Sequence, residues 1–260
     1  MDLTSEYWKL FSVFIQLGAI LCLPIYFRAD IMKFISTFPR GERGDRNVMT
    51  HPLSLTLIAF FFTAVPAFLL TKTIGKHLES LWIISISLIV GGVIMWVVDA
   101  TYERHRQTFI AIGHKTDRLE DMSLGQAIWI GACQTLSAIF PGTSRSMSTI
   151  AAGQIAGMSR PAALEFSFFL SIPTMVVATC YDLLKTLHPK GPAATPFAIS
   201  ALDSHAWITL LIGTVVSFIV AYAVVAWFMN WVRSRGFVPF AIYRIVLGFI
   251  VMAFLLSGRA

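Results

Sequence analysis

The sequence predicts an all-α integral membrane protein, with about six transmembrane helices in inverted-topology repeats and one re-entrant helical hairpin. Three observations point there. Of the 260 residues 56% are hydrophobic and 13% charged, with a mean hydropathy of +0.72, whereas a soluble domain carries about 25% charged residues. Apolar stretches of roughly 18 or more residues recur, each long enough to cross about 30 Å of hydrocarbon as a helix. A polar, helix-breaking element, Pro141-Gly142-Thr143-Ser144-Arg145-Ser146, is set among them.

The first span, 8–27, has neither a basic start nor a small-residue cleavage site, so it reads as a true span rather than a signal peptide. Spans 53–70 and 81–98 follow. Residues 124–140 are apolar but carry Gln126 and Gln134 and break at Pro141-Gly142; 147–156 is a short helical piece ending before Ser159-Arg160-Pro161. Neither half is long and apolar enough to cross, so 124–156 reads as a re-entrant hairpin. Spans 162–184, 206–228 and 239–256 complete a single polytopic domain over 1–260.

Charge sets the expected orientation. Arg28, Lys33, Arg40, Arg43 and Arg46 cluster in one loop, Arg104, Arg106, Lys115 and Arg118 in another, and Arg233 and Arg235 in a third; they outnumber Lys9, Lys72, Lys76, Lys185, Lys190 and Arg259 on the opposite side. By the positive-inside rule the richer loops are cytoplasmic, which turns the hairpin apex toward the outside. The net charge of +6 lies in these short loops, without the aromatic-interleaved basic stripe of a nucleic-acid binder. Cys22, Cys133 and Cys180 are dispersed within apolar segments and form neither a disulfide framework nor a metal cluster. His51, His77, His105, His114, His188 and His205 fall at loops or span ends and read as surface residues, while Trp82, Trp96, Trp207, Trp227 and Trp231 fit an interfacial belt.

A weak internal repeat accompanies this pattern. Phe11-Ser12-Val13-Phe14-Ile15 matches Phe166-Ser167-Phe168-Phe169-Leu170 at an offset of 155, and Ile89-Val90-Gly91-Gly92 falls one residue off Ile245-Val246-Leu247-Gly248. The repeats are then 8–98 and 124–256. The hairpin counterpart in repeat one would fall before Met1, so repeat one is expected to be incomplete at its N-terminus.

The element 141–149 has the makings of an anion cradle. Pro141 and Gly142 end one helix, Ser144 and Ser146 offer hydroxyls, Arg145 a planar fork of donors, and a new helix starts near Ser146 with its positive end facing the break. Phosphate matches a bidentate guanidinium with hydroxyls and amides. A charge held among membrane segments is costly and marks function by default.

Pro141-Gly142-Thr143-Ser144-Arg145-Ser146-x-x-Thr149 resembles the PGxSRSxxT signature of the bacterial undecaprenyl pyrophosphate phosphatase family, also called the bacitracin-resistance family. Gln134-Thr135-Leu136-Ser137, Ala163-Leu164-Glu165-Phe166-Ser167-Phe168, Val13-Phe14-Ile15-Gln16-Leu17-Gly18-Ala19-Ile20-Leu21 and Tyr243-Arg244-Ile245-Val246-Leu247-Gly248 resemble further family blocks. The resemblance implies hydrolysis of undecaprenyl pyrophosphate to the monophosphate at the outer face of the bacterial plasma membrane, with a divalent cation, Mg²⁺ or Ca²⁺. Arg145 reads as the catalytic phosphate clamp and Ser144 as the catalytic nucleophile or the closest hydroxyl ligand, with serine attack and direct attack by metal-bound water both open; Gly142, Thr143, Ser146 and Thr149 read as phosphate ligands and Gln134, Glu165 and Arg244 as supporting, with Arg244 expected to pair with Glu165. Met147 stands where many members have Gly. The family's ExxxE helix and Ser-Ser-Thr-Gly-His stretch, thought to hold the cation, would precede Trp8 and do not occur here, so no metal ligands are expected in this chain. An upstream start codon is the expected reason, and a non-catalytic pyrophosphate-binding relic the alternative. A transporter or lipid flippase is the competing class, from the inverted repeats alone. The expected partners are a polyprenyl pyrophosphate and membrane lipids, not nucleic acid; the sequence leaves open whether the chain forms a homo-oligomer.

Overall fold

A computed structural model of the chain describes residues 5–70, 80–111, 116–187 and 203–257. Its helices are α1 (Ser5–Tyr26), α2 (Arg28–Thr37), α3 (Pro52–Leu69), α4 (Leu81–Ala111), α5 (Leu124–Ile139), α6 (Arg145–Ile155), α7 (Arg160–Leu187), α8 (Ser204–Arg235) and α9 (Val238–Leu256). Six contain a stretch long and apolar enough to cross a membrane: Tyr7–Tyr26, Pro52–Leu69, Leu81–Tyr102, Arg160–Leu184, Ser204–Val232 and Val238–Leu256. The chain is a multi-pass, all-α membrane protein. The starts are written locally: Pro52 at the head of α3 gives up an amide that has no helical acceptor, and Ser123 with Gln126 forms a capping box on α5. With 16 and 11 residues, α5 and α6 are about 24 and about 16 Å long, too short to span.

The helices pack into two compact units. One comprises residues up to 33 with Ser171–Phe228, the other Phe34–Leu170 with Met229 onward. In the first, hydroxyls join α1 to α8: Ser217 Oγ donates to Ile15 O at 2.6 Å and Tyr7 OH to Ala206 O at 3.1 Å, around a core of Tyr7, Leu10, Ala206 and Leu210. Between apolar helices in lipid, such bonds and close packing replace the hydrophobic driving force.

In the second unit α4 and α9 meet at small residues. A Cβ on Gly92 would press on Ile245 and the Ala241 carbonyl; one on Gly248 would press on Ile89 and the Ser85 carbonyl. Each partner of one glycine sits 156 residues from the corresponding partner of the other, as do the glycines themselves. Such reciprocity is the signature of two-fold related surfaces. On the other side of the hairpin α3 packs on α5, Thr63 Oγ1 donating to Gly131 O at 2.8 Å. The hairpin is itself tied across its length by Trp129 Nε1 to Ala152 O (3.1 Å) and at its base by Gln126 Nε2 to Ala156 O (2.8 Å).

Two loop readings are corrected. The segment after residue 98 continues α4 to Ala111, because Asp99, 2% exposed, is satisfied by groups distant in sequence. Its Oδ1 accepts from Arg160 Nε at 2.8 Å and Gln154 Nε2 at 3.3 Å, its Oδ2 from the Phe237 amide at 3.0 Å, and the Arg160 guanidinium lies 6.0 Å above the Tyr102 ring. The loop after residue 27 begins with α2. His51, read as a surface residue, is fully buried: its Nδ1 accepts from Leu53 N as the N-cap of α3, and the Phe34 and Phe38 rings meet it edge-on. Of the other histidines, His205 is exposed, and His77, His105, His114 and His188 lie outside the described residues or side chains.

Arg160→Met would leave the buried Asp99 carboxylate with neutral donors only; losing one partner of a buried pair costs about 3–5 kcal/mol, to be read as a lower denaturation midpoint in detergent. Burial, then the Arg46 charge, lowers the pKa of His51, so the folded state holds it neutral. The unfolded chain takes up the proton first as pH falls below about 6.5. Stability is therefore complete above that pH and declines below it, and His51→Asn, which retains a capping acceptor, should flatten this part of the pH profile of thermal melting.

Candidate anion site at the hairpin turn

The turn between α5 and α6 is built by backbone chemistry. Phe140 leaves the helix at φ −111°, ψ 97°, and the Thr143 amide donates to Phe140 O at 3.0 Å across Pro141-Gly142. Gly142 sits at φ +94°, and a Cβ there would lie 2.7 Å from the Ile84 carbonyl oxygen on α4. Only glycine meets both demands.

Ser144 is the N-cap of α6, at φ −64°, ψ 130°, its Oγ accepting from Met147 N at 3.4 Å. That bond uses the third amide of the helix and leaves those of Arg145 and Ser146 without intrahelical acceptors. The side chains of Arg145 and Ser146 are half-buried and have no hydrogen-bond or ion-pair partner among the described residues. Unspent amides, a free hydroxyl, the Ser144 O–H and an unpaired guanidinium thus share one turn at the positive end of a helix. Such a turn can bind a tetrahedral oxyanion.

Arg244 on α9 reaches the same turn. Its Nη2 donates to Gly142 O at 2.8 Å, and its Nε is buried without a partner among the described residues. The expected pairing with Glu165 is not formed: Glu165, half-buried on α7, makes contacts of its own. Sequence spacing alone could not show that Arg244 braces the turn, since the two are 102 residues apart.

Thr149 lies one turn down α6 and is 2% exposed. Its hydroxyl approaches Arg145 O and Ser146 O, each at 3.1 Å, and Ser167 Oγ at 2.6 Å. It therefore ties the first turn of α6 to α7. Ser167 stood in a quoted block without a role; its position on the same face as the buried Ala163 and Leu170 was the available signal. Gln134, 1% exposed, turns to α3, its Oε1 accepting from Thr63 Oγ1 at 3.4 Å. Among the described residues no three His, Cys, Asp or Glu side chains converge, so the described donor set does not fit a resident divalent cation.

The family model described as bacitracin resistance protein BacA matches residues 1–250. A protein of Koribacter versatilis (strain Ellin345) named undecaprenyl-diphosphatase is 64% identical over 257 residues, covering 99% of this chain and 87% of that one. Undecaprenyl-diphosphatases of Persephonella marina (38% identical; 95% and 84% covered) and Caldanaerobacter subterraneus (35%; 98% and 84%) are similar over nearly the same length.

Gly142→Ala should displace the turn from Ile84 and weaken binding of inorganic pyrophosphate by about tenfold or more, about 1.4 kcal/mol, in isothermal titration of the detergent-solubilised protein. Unaltered affinity would place the anion elsewhere.

Proposed function

The chain belongs to the bacitracin resistance protein BacA family, and from that premise we infer that it hydrolyses undecaprenyl pyrophosphate to undecaprenyl phosphate and inorganic phosphate. The reaction returns carrier lipid to cell-wall synthesis and confers resistance to bacitracin. The observation that carries this reading to particular atoms is the first turn of α6, where Arg145 has no side-chain partner among the described residues and the amides of Arg145 and Ser146 have no intrahelical acceptor.

In this assignment Arg145 clamps the terminal phosphoryl group, and its charge offsets the negative charge that gathers on the equatorial oxygens as the bond to the bridging oxygen lengthens. The Ser144 and Ser146 hydroxyls and the Arg145 and Ser146 amides donate to the same oxygens. Serine attack requires a base to take its proton. Ser144 Oγ accepts from Met147 N and keeps its O–H for a phosphate oxygen, and we read Ser144 as a phosphate donor with water as the attacking group. Water adds to the terminal phosphorus, the bond to the bridging oxygen breaks, and the lipid monophosphate leaves. Gly142, Arg244 and Thr149 hold the cradle in shape. The family resemblance carries with it a divalent cation, Mg²⁺ or Ca²⁺, for which the described residues offer no converging set of ligands. The loop charges support a plasma-membrane protein whose cradle opens to the outside.

Purified protein in detergent should release phosphate from undecaprenyl pyrophosphate, and Arg145→Ala should lower kcat by about 10²–10³-fold, the usual cost of an oxyanion-stabilising donor. An unchanged rate in that variant would reduce the element to a capped, kinked helix; no release by the full-length protein would overturn the hydrolase reading.

A further inference from the structure

A concave cavity of about 370 Å³ opens beside the cradle, with a lining that is almost wholly apolar. It starts at Thr143 and Met147, which belong to the turn and first residues of α6, and continues to Ile155, the last residue of that helix. Val90 and Ile94 of α4 form one wall and Leu136 of α5 another. From Met147 to Ile155 the cavity follows α6 for about 12 Å. These four side chains, Val90, Ile94, Leu136 and Ile155, are each 46–59% exposed, so the trough is open along its side.

Any lipid-facing helix is apolar, so hydrophobicity alone says little here. The informative facts are the concavity and the end at which it starts. Thr143 and Met147 belong both to the cradle turn and to the trough, so a prenyl diphosphate whose terminal phosphate is held by Arg145 can pass its chain into the trough at that end. Along that run of about 12 Å an extended prenyl chain places roughly a dozen carbon atoms. That is two to three five-carbon isoprene units, a small fraction of the substrate's chain. The trough runs from the cradle along α6 and back toward the hairpin base, which is the direction a lipid tail takes into the bilayer when its headgroup sits at the outer side.

We propose that this trough seats the first two or three isoprene units of the substrate, entering at Thr143 and Met147 and running toward Ile155. The enzyme then reads the proximal end of the chain and not its full length. Lipid is as apolar as the trough, so the seat contributes orientation more than affinity: it aligns the scissile bond with the attacking water. The proposal rests on the hydrolase reading.

Phosphate release in nanodiscs tests it, using prenyl diphosphates of one, two, three, four and eleven isoprene units at equal mole fraction. For the unaltered protein kcat should climb from one unit to three and then level off. Ile94→Trp, which fills the trough away from the cradle, should cost at least about tenfold on chains of three units or more and leave the one-unit substrate unaffected. Ile155→Trp, at the exposed far end, should give the same pattern and guards against misfolding of the first variant. A rise that continues to eleven units, or losses in both variants that are equal across chain lengths or absent, overturns the seat. No phosphate release from any substrate by the unaltered protein would instead sink the hydrolase reading on which it rests.

Discussion

In hydrocarbon a backbone amide without a partner costs several kcal/mol, and there is no water to make good the loss. The break at Pro141-Gly142 creates that deficit on purpose: it ends α5 and opens α6 with donors that the chain itself satisfies only in part. The rest of the second unit is arranged to hold the deficit in place. Trp129 and Gln126 lock α5 to α6, Arg244 fixes the turn through Gly142 O, and Thr149 joins the first turn to α7 through Ser167. In the proposed function a phosphate supplies the missing acceptors and so completes the hydrogen-bond accounting of the turn.

The same rule governs the charges. Asp99 is affordable inside a membrane helix because a guanidinium, an amide side chain and a backbone N–H all point at it, from Arg160, Gln154 and Phe237. This cluster joins the far end of the hairpin to the starts of α7 and α9. Arg145 is the contrasting case, a cation with no partner among the described residues, and that contrast is the ground for proposing it as the phosphate clamp. The bonds around Asp99 also bear on the cradle, since α6 and α9 carry Arg145 and Arg244 at a distance from it.

Small residues decide how near the helices come. Gly92 and Gly248 let α4 and α9 touch through backbone, and the reciprocal spacing of their partners ties the packing to the weak repeat in the sequence. Because α9 is pinned on α4 there, Arg244 is delivered to Gly142 and Ile84 forms the floor on which only a glycine fits.

The spans, the helix break at Pro141-Gly142 and the Ser144 cap that follows it are legible in the sequence because their causes are local. Hydropathy over 18 residues, a Pro-Gly break, a Ser cap and an Arg beside it act within a turn or two of the chain. The family signature added specificity to the same residues. What the sequence could not decide depends on contacts 50 to 140 residues apart, such as Gln154 and Phe237 with Asp99 or Gly142 with Arg244. The burial of His51, the extension of α4 past Asp99, the turn of Gln134 toward α3 and the trough beside Met147 are likewise properties of neighbours that only packing supplies. A residue's type states what it can bond; its tertiary neighbours settle whether that capacity is spent on the fold or left for a ligand.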